Sequence, residues 1–256
     1  MSSVVRKGQS GIVHQFLIPF SADITLANGT TSITCDTNYP FGETLQYNVN
    51  TDTAFDFYIR VPSWSNASTF TQGDKLLSFV ANEDGLFHVA VNAGISNFSV
   101  NLGTEVRTAQ RGNNTVGIYR GALLYSLDID FNISSHQALE FSTLTPLPTN
   151  ETVPQSVDHE YIPSTPWAVG IDPSQITVRQ TNESQLKNPI FERGAPPIYL
   201  EVTASEILWP LDQGTASVPS DNVTVVGEPF TARLIPYGSA KLHMAQLPVI
   251  DLRKNS

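Results

Sequence analysis

FDFYIRV, residues 55–61, decides the fold class. In an extended chain Phe55, Phe57, Ile59 and Val61 point to one side, and Asp56, Tyr58 and Arg60 to the other. Apolar residues recurring every second position mark a half-buried β-strand, because successive side chains alternate across a pleated chain. The same period continues outward from this stretch. LFHVAV (86–91) places Phe87, Val89 and Val91 together, and NFSVNL (97–102) does so with Phe98, Val100 and Leu102. The run VGIYRGALLYSLDIDF (116–131) reads as two strands, or one bent at Gly121. PIYLEVTA (197–204), NVTVVG (222–227) and FTARLIPYG (230–238) are strand-like again. Clusters such as ANGTT, ANEDG and RGNN supply turns between them. No window carries a helical stripe of normal length, so the chain is expected to be all-β.

Proline usage divides the chain. Only Pro19, Pro40 and Pro62 precede residue 145, whereas TLTPLPTNETVPQSVDHEYIPSTPW (143–167) is Pro-rich and lacks apolar periodicity. That stretch reads as a linker or long surface connection. The expected architecture is two antiparallel β-sandwich modules joined by a Pro-rich connection. Residues 1–10 form a flexible N-terminus, 11–140 the first sandwich, and 141–256 the second, with the linker at its start.

The chain of 256 residues carries a net charge of −10, with 40% apolar and 15% charged residues. That length can bury a core without disulfides or a structural metal. The acidic balance argues against a nucleic-acid partner, which needs clustered Lys and Arg. No apolar run approaches the roughly 20 residues that span a bilayer as a helix. The pattern N-x-[ST] occurs at Asn28, Asn66, Asn97, Asn113, Asn132, Asn150, Asn182 and Asn222. Composition alone predicts roughly three or four such sites, so the excess points to a secreted, N-glycosylated protein. MSSVVRKGQS has no apolar core of a signal peptide. The expectation is therefore an extracellular protein whose signal peptide lies upstream of this chain.

Motifs for chemistry are sparse. Neither G-x-G-x-x-G, the P-loop, nor G-x-S-x-G occurs. His14, His88, His136, His159 and His243 show no paired ligand spacing. His88 reads as a solvated strand residue. ANEDGLF (81–87) reads as a turn, since it lacks the further acids of a calcium loop. Glycoside hydrolysis needs two suitably spaced carboxyl groups. Asp128 and Asp130 would share one strand face, but they, Glu140 and Glu201 read as solvated acids. Trp64, Trp167 and Trp209 read as packing residues, with a sugar-stacking platform as the alternative. SITCDTNYPFG (32–42) holds Cys35, the only cysteine. It is a catalytic thiol, a metal ligand or a small buried residue; a lone Cys without companion ligands favours the last.

Five strings in order, TNYPFGETLQYNV (37–49), FYIRVPSW (57–64), YRGALLYSLD (119–128), STPWAVGI (164–171) and RLIPYGSAKLHMAQLP (233–248), carry a resemblance. They resemble the C-terminal β-region of the β-L-arabinofuranosidase-like glycoside hydrolases of family 127, formerly a domain of unknown function. The resemblance covers roughly residues 11–250. It implies the two β-sandwiches that follow an (α/α)6 catalytic barrel in that family, without the barrel. GQSGIVHQFLIPFSADI (8–24) resembles the strand after the catalytic cysteine region. By the same resemblance, the family's Glu acid/base, Cys nucleophile and zinc-binding cluster lie upstream of the residues matched here. No catalytic, cofactor-binding or metal-binding residue transfers to this chain, and zinc is expected only in the barrel. Ala122 stands where the family has Pro, and WAVG replaces WNYAL, which marks a divergent branch.

The expected function is that of a non-catalytic portion of a secreted hydrolase, inactive alone, which supports the barrel or its assembly. An apolar docking face is expected near FLIPF (16–20) and PSW (62–64). The expected partners are the barrel, plant-type or cell-wall glycans and a second copy in a homodimer, with no nucleic acid and no membrane. The alternative is an independent carbohydrate-binding or adhesion module.

Overall fold

A computed structural model describes residues 5–8, 11–153, 155–181, 186–192 and 196–252. They divide into two compact units, one within residues 1–107 and 119–123, the other within 108–118 and 124–256.

The first unit contains β1 (Val5–Lys7), β2 (Gly11–His14), β3 (Phe20–Leu26), β4 (Gly29–Thr37) and β5 (Thr44–Thr51). It continues with β6 (Phe55–Arg60), β7 (Thr69–Gln72), β8 (Lys75–Ser78), β9 (Leu86–Val91) and β10 (Gly94–Asn101). A four-stranded sheet runs β1-β2-β6-β9 and a six-stranded sheet runs β3-β4-β5-β10-β7-β8. Pairing is antiparallel except between β2 and β6. One core joins the two sheets. Ile12, Phe57, Ile59, Val89 and Val91 come from the first sheet, and Ile24, Ile33, Leu45, Tyr47, Phe98 and Val100 from the second. This is a β-sandwich, and the alternation read from residues 55–61 is its cause. β5 shows the same rule: Leu45, Tyr47, Val49 and Thr51 are buried while Thr44, Gln46, Asn48 and Asn50 face outward. Part of the predicted flexible N-terminus is a strand: Val5–Lys7 pairs with Ile12–His14. Alternation and register fixed this segment, although its polar sequence hides it. Gly103 is obligatory. Its φ is +56°, and a Cβ there would lie 2.1 Å from the Asn66 carbonyl oxygen.

After these come β11 (Val106–Arg111), β12 (Thr115–Arg120), β13 (Leu123–Leu127), β14 (Phe131–Gln137), β15 (Val157–Pro163) and β16 (Val169–Gln180). The last are β17 (Ile198–Glu206), β18 (Leu211–Asp212), β19 (Thr215–Ala216), β20 (Phe230–Pro236) and β21 (Leu247–Pro248). A seven-stranded sheet runs β11-β12-β13-β20-β17-β16, with β21 on β12. Val249, next to β21, bridges Ile171 of β16 in parallel, so the sheet curls back on itself. Ile171, Leu200, Val202, Leu234 and Leu247 are among its buried side chains. The run 116–131 is two strands, and Gly121, at φ +55°, sits in the turn between them. β14–β15 and β18–β19 form separate hairpins.

The division falls near residue 107, ahead of the Pro-rich stretch. Residues 143–167 lie inside the second unit and supply much of the β14–β15 loop and β15 itself. Proline cannot donate to a ladder, so it collects in such loops and on ribbon edges. Two expectations change. NVTVVG is not a strand: among its residues only Val225 forms a bridge, to Ile207. Asp128 and Asp130 do not share a strand face, because β13 ends at Leu127 and β14 begins at Phe131.

Candidate functional site

Cys35 lies on β4, opposite Tyr47 of β5 and Phe20 of β3. The six-stranded sheet turns this position inward, and the residue is 3% exposed. Burial pushes the thiol up to about 12, only partly countered by the hydroxyl of Tyr47. A thiol held protonated away from solvent is neither nucleophile nor ligand. His14 of β2 reaches the same interior: its Nδ1 is 2.8 Å from the Tyr47 hydroxyl, and its ring stands edge-on to Phe20. Burial lowers His14 to about 4, so the ring is neutral. The Cys35–Tyr47–His14 group is therefore core polarity without access. A thiol-specific reagent under native conditions is expected to leave Cys35 unmodified and to label it fully on unfolding. Fast labelling of the folded protein would place the thiol at the surface.

The other histidines scatter. Nε2 of His88 is 2.6 Å from Asp56 on the outer face of β6–β9, in keeping with a solvated strand residue. His159 pairs with the Ser135 hydroxyl, and His243 stacks on Tyr237 with centroids 4.3 Å apart. Among the described residues no three His, Cys, Asp or Glu side chains converge to hold a metal. ANEDG is a turn in which Asn82 Oδ1 accepts from the Asp84 and Leu86 amides. Glu140 is held down to about 2 by Ser142 and Thr143, an exposed local turn. Trp209 is buried and donates to the Ser217 carbonyl, Trp167 packs against it, and Trp64 packs on the first core.

Asn28, Asn66, Asn97, Asn132, Asn150 and Asn222 are exposed. Asn113 is half-buried and donates its amide to the Pro219 carbonyl at 2.8 Å. Asn182 lies outside the described residues.

One concavity in the second unit brings opposite charges together, a feature no sequence motif marks. A cleft of about 480 Å³ is lined by residues including Asp128, Thr165, Glu206, Phe230, Thr231 and Arg233. The strand register builds it. Leu127 pairs with Leu234, and the Asp128 amide donates to the Arg233 carbonyl at 2.9 Å, which sets the two side chains side by side. The Arg233 guanidinium lies 4.4 Å over the Tyr199 ring. Its Nε is 3.6 Å from Asp128 Oδ2, within ion-pair range but too far for a hydrogen bond. Nε is buried and has no hydrogen-bond partner among the described residues. One strand further, Glu201 stands opposite Arg233 and accepts from Arg179 Nε at 2.8 Å. A second cleft, of about 310 Å³, is lined mainly by apolar groups, with Tyr161, Trp167 and His243 on its wall.

No family model matches the sequence, and no curated protein matches it. Solved structures do match the fold. A GH127 β-L-arabinofuranosidase from Geobacillus stearothermophilus T6 superposes with a TM-score of 0.59 at 11% identity, over 96% of this chain and 34% of that one. A structure described as a glycoside hydrolase gives 0.63 at 15% identity, over 97% and 37%. A GH127 β-arabinofuranosidase gives 0.62 at 12% identity, over 96% and 36%. The fold therefore matches that of GH127 hydrolases along nearly the whole chain. The chain spans about a third of the length of the solved chains it matches.

Proposed function

We propose that this chain is the non-catalytic β-sandwich portion of a glycoside hydrolase related to the β-L-arabinofuranosidases, and that it supports a catalytic barrel. The observation that carries this reading is the coverage: 96–97% of this chain corresponds to only 34–37% of the hydrolase chains. The burial of Cys35 agrees with it, because the one thiol of the chain is not placed to attack a sugar.

A barrel needs a surface to rest on, and residues 16–20 offer one. Phe16 is 47% and Ile18 39% exposed, while Leu17 between them is fully buried. Exposed apolar side chains of this kind serve as a contact surface when they join into a contiguous patch. PSW contributes less, since Pro62 is buried and Trp64 is packed against the first core. A secreted, N-glycosylated protein fits the six exposed asparagines, and a glycan at Asn113 would displace its bond to Pro219.

The purified chain is expected to show no turnover of an aryl β-L-arabinofuranoside, with or without added zinc. Zinc-dependent turnover that Cys35→Ser abolishes would overturn the reading.

A further inference from the structure

We infer that the free edge of β14 is a self-association surface, on which β14 of a second copy pairs antiparallel about a two-fold axis. The inference goes beyond the proposed function and does not depend on whether a barrel docks.

β14 and β15 form a ribbon of two strands that joins no larger sheet. Asn132, Ile133, Ser134 and Ser135 are all exposed, Ile133 to 59%. Each residue of β14 is matched to one of β15. Among the described residues, no backbone group of residues 132–136 bonds to any other strand or loop. In an antiparallel pair, successive residues turn their N–H and C=O alternately toward the partner and away from it. Half of these β14 groups therefore point away from β15 and form an unpaired ladder. Such an edge is a template for another strand. A two-stranded ribbon is also marginal by itself and gains stability when the sheet widens.

The two edges of the ribbon differ in what they admit. β15 carries Asp158, Glu160 and Pro163. A second β15 laid against it would set acid against acid, and the proline withholds a donor. β14, Phe131–Gln137, contains no Asp, Glu, Lys, Arg or Pro. Its self-pairing opposes no like charges in any register. The side chains favour the same partner. Phe131, Ile133 and Tyr161 share one face: Ile133 stands opposite Tyr161, and the Phe131 ring meets Tyr161 edge-on at 4.8 Å. A two-fold axis normal to the ribbon keeps that face on the same side in both copies. The two apolar stripes then join across a four-stranded sheet. Centred on Ser134, the middle of the strand, the pairing sets the two Ile133 side chains on a diagonal within reach of each other. Asn132 lies on the opposite face with Ile162. A glycan there stands off the sheet plane and leaves the ladder open.

Two short strands bury little area, so the association is weak and falls in the micromolar range. The net charge of −10 repels a second copy, and the interface holds no ion pair. Salt that screens this repulsion strengthens the dimer.

The full chain, produced without N-glycans, is followed by sedimentation velocity from about 1 µM to about 500 µM, at low and high salt. A monomer–dimer equilibrium is expected, tighter at high salt. Amide hydrogen exchange at residues 131–137 should slow as the dimer forms. Ser134→Lys and Ser134→Glu each set like charges across the axis and should weaken the dimer by about tenfold or more. An equimolar mixture of the two variants should recover dimers. Ile95→Lys, at an exposed apolar position on β10, should leave the equilibrium unchanged. Circular dichroism spectra check that each variant remains folded. A chain that stays monomeric throughout overturns the proposal. So does a dimer that both Ser134 variants leave intact or that Ile95→Lys abolishes, a mixture of the variants that stays monomeric, or slowed exchange confined to another strand.

Discussion

Replacing Phe57 by Ala is expected to cost about 3–5 kcal/mol of the stability of the first sandwich. Phe57 is fully buried at the middle of β6, between Ile12 of β2 and Val89 of β9. Its ring meets Tyr47 edge-on at 5.6 Å, lies 5.9 Å from Phe98 of the facing sheet, and has Phe55 at 6.4 Å. Removing it opens a cavity that two hydrogen-bonded sheets cannot close, because backbone ladders on both sides hold β6 in place. Typical domains have only about 5–15 kcal/mol in hand, so the variant should unfold at markedly lower denaturant. Ile95→Ala, at an exposed position on β10, is the control and should stay within about 0.5 kcal/mol of the native protein. Urea unfolding followed by circular dichroism measures both. A Phe57→Ala loss no larger than the Ile95→Ala loss would mean that the two sheets do not share one core.

Acid should weaken the same sandwich through His14. The ring is fully buried, and burial lowers its proton affinity to about 4 from an ordinary value of 6.5. Between those values the unfolded chain binds a proton that the folded core refuses. Stability therefore falls as pH falls from about 6.5 to about 4, and is regained as pH rises. At about 1.4 kcal/mol per pH unit, the whole window is worth about 3 kcal/mol. Tyr47 and Cys35, its neighbours in the core, are both shifted upward and do not titrate in this range. Carboxylates elsewhere contribute equally to any variant, so the difference between proteins isolates this residue. Unfolding free energies at pH 7 and pH 4.5 are compared for the native chain and His14→Gln. The native chain should lose about 2–3 kcal/mol more than the variant over that interval. Equal losses would show that the core does not hold His14 neutral.

How far the sequence foretells each feature depends on how local its cause is. The strand over residues 86–91 matches its reading residue for residue, and the run 116–131 breaks at Gly121 as a glycine between two apolar strands suggests. Both follow from side-chain period and backbone freedom, which neighbouring residues determine. NVTVVG has the right composition for a strand but finds only one bridge, at Val225. A ladder needs a partner edge, and partners are supplied from far along the chain. Val5–Lys7 shows the converse: an unpromising segment becomes a strand because β2 offers it an edge.

Side-chain alternation alone determined that this chain is all-β and which faces form the core of the first sandwich. The isolation of Cys35 from other ligands was equally readable, since no second cysteine exists. Only the tertiary structure placed Tyr47 beside that thiol, joined His14 to the Tyr47 hydroxyl and sealed all three from water. It also brought Asp128 to Arg233, more than a hundred positions away, through the antiparallel pairing of β13 with β20. Period is a property of neighbours along the chain, whereas register between distant strands is settled only when their apolar faces close on one core.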